Sequence, residues 1–256
     1  ISLALFPVAV VRPWFYASDM GVPLAVIGTI LFLVRWSDVV TDPLMGYISD
    51  HTRSRFGRRK LWIALATPLM MLAVYQLFLP DSGMMWLKPL YVAVVDVEHM
   101  NWLHLGLWSF VLSLAITMML IPYYAWGSEL STDYHERSKV TGARAVFNSL
   151  GSLSAQLIPA MALLLFGLGG SDVVLELVGL TMLVLMPVCV TLTLTNVREP
   201  AYQPRSQVSV IDGLKLMLAN GPFKRLVLAF MIGSLGLNVT TPLYLFFIAD
   251  VLQAED

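Results

Sequence analysis

The sequence predicts an all-α polytopic membrane protein, because its composition, the length of its apolar runs and the placement of its charges all agree. Of 256 residues, 57% are hydrophobic and 13% are charged, and the mean hydropathy is +0.74. Soluble domains carry about 25% charged residues. About seven stretches are long enough to cross a bilayer core. They lie roughly at 2–18, 23–48, 61–80, 102–126, 143–168, 173–196 and 223–249.

A long polar connection divides these segments into two groups. We expect residues 1–197 to form an N-terminal six-helix transmembrane bundle with a clipped first helix. Residues 198–222 are then a central cytoplasmic linker, and residues 223–256 hold the seventh transmembrane helix, the start of a C-terminal bundle. Within the linker, VIDGLKLMLAN predicts a short surface helix. The order is typical of a twelve-helix transporter, so the chain is interpreted as a fragment of a longer protein.

The basic residues predict the orientation. Thirteen of the 16 Lys and Arg residues lie in the connections 49–60, 127–144 and 198–225, whereas the opposite loops carry only Lys88. Because cytoplasmic loops are enriched in Lys and Arg, these three connections and the amino end are expected in the cytoplasm. The protein would then be a multi-pass protein of an inner or plasma membrane.

Composition also argues against other classes of protein. The net charge of −1 gives no sign of a nucleic-acid-binding surface. The single cysteine, Cys189, lies in an apolar run, so a disulfide framework or zinc site is not expected. A membrane-embedded enzyme or receptor remains a distant alternative. We predict that the protein is not an enzyme, because no Ser/His/Asp or His-x-x-x-His constellation occurs in the sequence.

The second apolar segment carries charges on one helical stripe. Arg35, Asp38 and Asp42 are spaced i, i+3 and i+7, so they share one face of a helix. A charged side chain in mid-membrane costs about 2.5–3.5 kcal/mol. Arg35 can offset one carboxylate, which leaves one negative charge and favours a bound cation. The alternative is an internal Arg–Asp pair that only locks helix packing.

Pro43 and Thr41 support the cation hypothesis. Pro43 has no N–H, so the Val39 carbonyl loses its helical donor. A free carbonyl beside two carboxylates suits Na⁺, or a proton shared between the acids. Thr41 would add a hydroxyl only if it turns inward.

Two separated motifs resemble one transporter family. The run D-x-x-x-D-P-x-x-G-x-x-x-D-x-T-x-x-x-x-G-R-R-K extends from Asp38 to Lys60, and IPYYAWGSELSTDYHERSKVTGAR extends from Ile121 to Arg144. Both are similar to the glycoside–pentoside–hexuronide:cation symporters, the melibiose permease-like branch of the major facilitator superfamily. The resemblance implies a major facilitator fold, alternating access and symport of a sugar or glycoside with Na⁺, Li⁺ or H⁺, without a further cofactor.

The resemblance assigns expected roles at the cation site. Asp38 and Asp42 match the two cation-binding aspartates, which would be the Na⁺ ligands if sodium is coupled. Thr41 lies where relatives have an asparagine ligand, and Thr117 matches a threonine that the fourth helix adds. Arg35 matches an arginine beside the site.

The expected solute site departs from the melibiose type. Arg144 matches an arginine that contacts sugar hydroxyls, and Tyr124 takes the place of an aromatic residue that stacks on the sugar. However, Leu120 replaces a sugar-binding aspartate, and no acid lies near Leu3, where a second one is expected. A melibiose-like ligand is therefore disfavoured.

A polar stripe on the fifth segment is the expected replacement. Arg144, Asn148, Ser152 and Gln156 repeat every four residues. Arg144 and Asn148 are predicted to bind solute. Because Arg144 can form a bidentate pair with a carboxylate or sulfonate, an acidic glycoside is favoured. Ser152 and Gln156 could instead form hydrogen bonds between helices.

The basic run after the second segment has two readings. Topology alone favours positive charge there. The resemblance also implies that Asp50, Arg53, Arg58 and Arg59 link helix ends as a cytoplasmic gate. Glu129 is expected to pair with these arginines rather than to bind solute.

Other polar and aromatic residues receive simpler interpretations. Arg12 is expected to snorkel outward or to pack, with solute contact as the second alternative. Trp14 and Tyr16 are interpreted as an aromatic belt. His99 and His104 are expected on a solvated face.

The leading prediction is a monomeric, cation-coupled symporter of a small sugar or glycoside in the lipid bilayer. The alternative within transport is a carrier for an amphiphile such as a lysolipid, which shares the aspartate-bearing helix.

Overall fold

The computed structural model describes residues 7–79, 100–131, 133–167, 169–200 and 210–247, and their regular structure is helical throughout. The predicted all-α membrane architecture is thus confirmed over this part of the chain. A π-helical turn, Pro7–Val11, leads into the first helix. The helices are α1 (Arg12–Ser18), α2 (Leu24–His51), α3 (Arg58–Phe78), α4 (Met100–Glu129), α5 (Tyr134–Phe166), α6 (Ser171–Asn196), α7 (Val210–Ala219) and α8 (Gly221–Phe246).

Among the described residues, α2 to α6 contain the five stretches that are long and apolar enough to cross a membrane. α5 begins at Tyr134, well before its apolar stretch at about 143, because Asp133 caps it. The Asp133 carboxylate accepts a hydrogen bond from the backbone N–H of Glu136 at 3.0 Å. α5 ends where Gly167 adopts φ 66°. Hydropathy therefore located the apolar part of this helix but not its polar first turns.

The helices α3 and α4 form the centre of the first bundle. Half of the most apolar stretch of α3 and 44% of that of α4 are buried, against 6% for α2 and 11% for α5. α4 packs against α2 and α3, and α3 also packs against α6. Met70, Leu77 and Phe78 of α3 and Leu112 of α4 lie in the shared core. This packing brings the α2 acids against the polar side of α4.

The chain divides into two compact units, Ile1–Pro200 and Ala201–Asp256. The first unit contains α1 to α6, and the second contains α7 and α8. α7 lies where the sequence predicts a short surface helix. The boundary between the units follows Pro200, close to the predicted start of the linker at 198. The division of the chain into three domains stays a prediction.

Of the two roles expected for Arg12, snorkelling and packing, the structure shows packing inside the bundle. Arg12 is 6% exposed and donates from Nη1 to Ser109 Oγ of α4 at 3.1 Å. α1 packs inside the bundle, and its arginine faces a helix that is distant in sequence, so the sequence could not reveal the contact.

Two further expectations are corrected by burial. Tyr16 is fully buried with its ring edge-on to Phe15, so it does not belong to an aromatic belt. His104 is also fully buried, and its Nε2 lies 2.8 Å from the backbone carbonyl of Gln76. Tyr16 is buried because neighbouring helices cover the end of α1, and His104 is buried because they cover the first turns of α4. His99 lies outside the described residues.

The contact between α3 and α6 depends on a small residue. A Cβ added at Gly179 would lie 2.7 Å from Phe78 Cβ and 3.2 Å from Leu79 Cδ1. We expect Gly179→Ala to destabilise the bundle by about 1–3 kcal/mol through overpacking. The midpoint of thermal unfolding, followed by tryptophan fluorescence in detergent, should fall.

Gly142 in α5 provides the matched control, because a Cβ there meets nothing within 4 Å. Gly142→Ala should keep or raise the midpoint, since alanine is the better helix former by about 1 kcal/mol. Equal midpoints for the two variants would contradict the close α3–α6 packing.

Candidate functional site

Two hydrogen bonds join the α2 aspartates to hydroxyl groups of α4. Ser113 Oγ donates to Asp38 Oδ1 at 2.6 Å, and Thr117 Oγ1 donates to Asp42 Oδ1 at 2.7 Å. The acids are four residues apart on α2, and the hydroxyls are four residues apart on α4. Because residues four apart share a helix face, the two pairs stack one turn apart, about 6 Å along the helix. We call these four residues the acid–hydroxyl ladder.

Arg35 contributes only a loose contact to the ladder. Its Nη1 lies 3.5 Å from Asp38 Oδ2, and its side chain is 74% exposed, whereas that of Asp38 is 18% exposed. An exposed ion pair at this distance contributes little. Asp42 has no ion pair among the described residues. Asp38 therefore has only a weakly held cationic partner, and Asp42 has none in the described part of the chain.

Thr41 lies beside the ladder without joining it. Its Oγ1 is buried and has no hydrogen-bond partner in the described part of the chain. A buried hydroxyl without a partner is unfavourable, so Thr41 remains a candidate oxygen ligand. The structure brings Asp38, Asp42 and Thr117 together as the sequence predicts, but Thr41 contacts neither acid through a hydrogen bond.

Ser113 is a site residue that the sequence analysis missed. Its signal was present, because Ser113 precedes Thr117 by the same four residues that separate Asp38 from Asp42. Only the pairing of α2 with α4 shows that the two spacings coincide.

A network of charged side chains joins three helix ends: the end of α2, the start of α3 and the end of α4. We call this end of the bundle, where Arg58 and Arg59 lie, the basic end. Arg59 is 4% exposed, and its Nη2 lies 2.5 Å from Asp50 Oδ1 and 3.0 Å from Glu129 Oε1. Its Nη1 donates to Ser49 Oγ at 2.9 Å. Arg58 Nη2 donates to Glu129 Oε2 at 2.8 Å. The network connects the end of α2, the start of α3 and the end of α4.

Two sequence expectations about this network can be compared with its geometry. Glu129 pairs with both arginines, as expected. Arg53 is exposed and makes no contact with the network among the described residues. Its predicted grouping with Asp50, Arg58 and Arg59 is therefore not seen, because the chain between His51 and Arg58 leaves the helix and carries Arg53 away from the network.

Glu199 and Lys60 extend the network to α6, which the sequence analysis did not foresee. The Glu199 carboxylate accepts from the backbone N–H groups of Arg59 at 2.9 Å and Lys60 at 3.4 Å. In return, Lys60 Nζ donates to the Leu194 carbonyl in the last turn of α6 at 2.7 Å. An anion at a helix start and a cation at a helix end both interact favourably with the helix dipole and so stabilise the helix. The start of α3 and the end of α6 thus cap each other.

The predicted solute residues lie on α4 and α5. The Arg144 guanidinium carbon lies 4.6 Å from the ring centre of Tyr124 and 6.0 Å from that of Tyr123. Arg144 makes no ion pair among the described residues. Cation–π contacts of this kind hold an arginine in place and leave its donors available for a ligand.

Gln156 of the α5 stripe makes its contact within its own helix. Gln156 Nε2 donates to the Ser152 carbonyl at 3.4 Å, so the expected hydrogen bond between helices is not seen for this residue in the described part. Asn148 is exposed and lies one turn after Arg144. Leu120, which replaces the aspartate of the melibiose-type branch, is half-buried.

The sequence profile of the MFS/sugar transport protein family matches residues 2–256. The chain belongs to this family. Its resemblance to glycoside and cation symporters is thereby confirmed.

The relatives include a glycoside/cation symporter, a sugar transporter and a lysophosphatidylcholine symporter. The chain is 28% identical over 218 residues to the putative glycoside/cation symporter YagG of Escherichia coli, covering 82% of the chain and 43% of that protein. It is 25% identical to the isoprimeverose transporter of Lactiplantibacillus pentosus, over 91% of the chain and 47% of the transporter. It is also 27% identical to the sodium-dependent lysophosphatidylcholine symporter 1 of Mus musculus, over 80% of the chain and 42% of that symporter. The chain spans less than half the length of these relatives.

Proposed function

We propose that the protein is a secondary active transporter that couples entry of a sugar or glycoside to a cation, Na⁺ or H⁺. The acid–hydroxyl ladder is the observation that carries this proposal. It holds two carboxylates and two hydroxyls at matched heights between α2 and α4. Hard oxygen ligands of this kind suit Na⁺, and two nearby acids also suit a proton.

Asp38, Asp42 and Thr117 bind the cation directly in this proposal, and Thr41 supplies a further oxygen. Ser113 orients Asp38. Arg35 stays near the site as a loosely held counter-charge. The protein acts as a carrier in an inner or plasma membrane, and its basic end faces the cytoplasm.

An amphiphile carrier is the second candidate. It is favoured by the likeness to sodium-dependent lysophosphatidylcholine symporters of mouse and of Danio rerio, the latter 32% identical over 154 residues. The ladder serves either function, because both use a driving cation. Uptake of a lysolipid with no uptake of any glycoside would decide for this candidate.

The ladder predicts how cation dependence responds to substitution. Asp42→Asn should abolish cation-dependent uptake in proteoliposomes. Removal of one hydroxyl hydrogen bond, in Ser113→Ala or Thr117→Ala, should change the half-saturating cation concentration by about fivefold. The direction identifies the ion: Na⁺ binding weakens when the ligand hydroxyl of Thr117 or the orienting hydroxyl of Ser113 is lost, whereas proton binding strengthens because the ionised acid loses a donor.

Ser37→Ala is the control for this series. Ser37 lies beside Asp38, but its hydroxyl donates to the Val34 carbonyl of its own helix at 2.6 Å. The control should leave the half-saturating concentration unchanged. Cation dependence that survives in Asp42→Asn would refute the proposed site.

The network at the basic end is proposed to close the cytoplasmic side of the carrier. Asp50→Ala removes the acid that lies 2.5 Å from Arg59 and should favour the inward-open state. We expect a cysteine at exposed Tyr47 (Tyr47→Cys, in a Cys189→Ser background) to react several-fold faster with a maleimide applied from the cytoplasmic side. Arg53→Ala is the matched control and should leave the rate unchanged. Equal rates for parent and Asp50→Ala would argue against a gate.

Arg144 is proposed to bind an acidic group of the solute, with Tyr124 and Asn148 beside it. The guanidinium lies over an aromatic face and has no described carboxylate partner. Arg144→Ala should weaken binding of a glycoside that carries a carboxylate by at least about tenfold more than binding of its neutral counterpart. Arg144→Lys should restore binding only in part, because lysine cannot form the bidentate pair. Competition for uptake measures both affinities, and Lys139→Ala is the exposed control on α5. Equal losses for the two solutes would contradict the assignment.

A further inference from the structure

Arg12 is a buried charge that the proposed cation and solute sites do not use. It is 6% exposed within the bundle. Its Nη1 donates to Ser109 Oγ at 3.1 Å, and its Nε has no hydrogen-bond partner among the described residues. Nor does any carboxylate form an ion pair with it in the ranges that the structure describes.

A hydroxyl group satisfies a donor of Arg12 but does not neutralise its charge. A buried ion without a partner of opposite charge is strongly unfavourable. Ionisable residues in membrane helices are rare and are retained mainly where they serve function. The position of Arg12 therefore needs a role that uses the positive charge itself.

The α4 hydroxyls show what lies near that charge. Ser109, Ser113 and Thr117 repeat every four residues, and they bond in order to Arg12, Asp38 and Asp42. At 1.5 Å per residue, each step along α4 is about 6 Å. The guanidinium is thus bound one helical turn from the start of the acid–hydroxyl ladder.

We propose that Arg12 is a fixed counter-charge of the cation site, which lowers the affinity of the two acids for the driving cation. This inference rests on the proposed function, because it assumes that Asp38 and Asp42 bind that cation. Arg35 is exposed and only loosely held, so Arg12 is the buried positive charge beside the two carboxylates. Its charge offsets part of the charge of the acids, so a bound cation is released readily instead of being trapped. Arg12 is a positioning residue in this role and contacts neither ion nor solute.

The test measures the half-saturating concentration of the driving cation, Na⁺ or H⁺, for uptake into proteoliposomes. Arg12→Gln removes the charge and should lower that concentration by about tenfold, the effect expected of one charge at this range in a protein interior. Arg12→Lys keeps the charge and should stay close to the parent. Ser109→Ala removes the hydrogen bond but keeps the charge, and it too should stay close to the parent.

Ser109→Asp tests the same charge without altering Arg12. The new carboxylate neutralises the guanidinium, so the half-saturating concentration should again fall. An unchanged value in either Arg12→Gln or Ser109→Asp overturns the proposal, as does a loss of solute affinity with unchanged cation affinity. Failure of the proposed function looks different, because cation dependence would then survive in Asp42→Asn whatever the Arg12 variants do.

Discussion

Carboxylates inside a membrane bundle need hydrogen-bond donors, and the rest of this structure depends on how that need is met. The acids of α2 receive donors from α4, with Ser113 at 2.6 Å and Thr117 at 2.7 Å. Each bond fixes the height and rotation of one helix against the other, because a shift of one residue would move a hydroxyl to another face. The site and the packing of α2 on α4 are therefore one feature.

At the basic end the buried group is a cation, and it needs acceptors instead of donors. Arg59 is buried and is held by Asp50, Ser49 and Glu129, so three helices meet at one guanidinium. Glu199 and Lys60 then tie α3 to α6 through their helix ends. These contacts are directional and charged, which distinguishes the basic end from the apolar core around Met70 and Leu112.

Sequence reasoning was strongest where the signal lies within one helix. The stripe of Arg35, Asp38 and Asp42 is visible from spacing alone, and Pro43 marks the same helix. Thr117 required the family resemblance, because hydroxyl residues spaced four apart in an apolar run do not show by themselves which helix they face.

The remaining site residues depend on contacts between helices that are distant in the chain. Ser113, Glu199 and the partner of Arg12 were missed for this reason, and Tyr16 and His104 were placed on the wrong kind of surface. A residue's burial in a bundle depends on which neighbour covers it, and periodicity within a single segment does not contain that information.

The most direct measurement of the central claim is infrared difference spectroscopy of the carboxyl groups, recorded while the driving cation is added to the protein in lipid. It observes the acids themselves and does not depend on the solute. We predict a carboxylate difference band in the parent that is lost in the Asp38→Asn/Asp42→Asn double variant and shifted in Thr117→Ala. Identical difference spectra for the parent and the double variant would show that the cation binds elsewhere and would contradict the account.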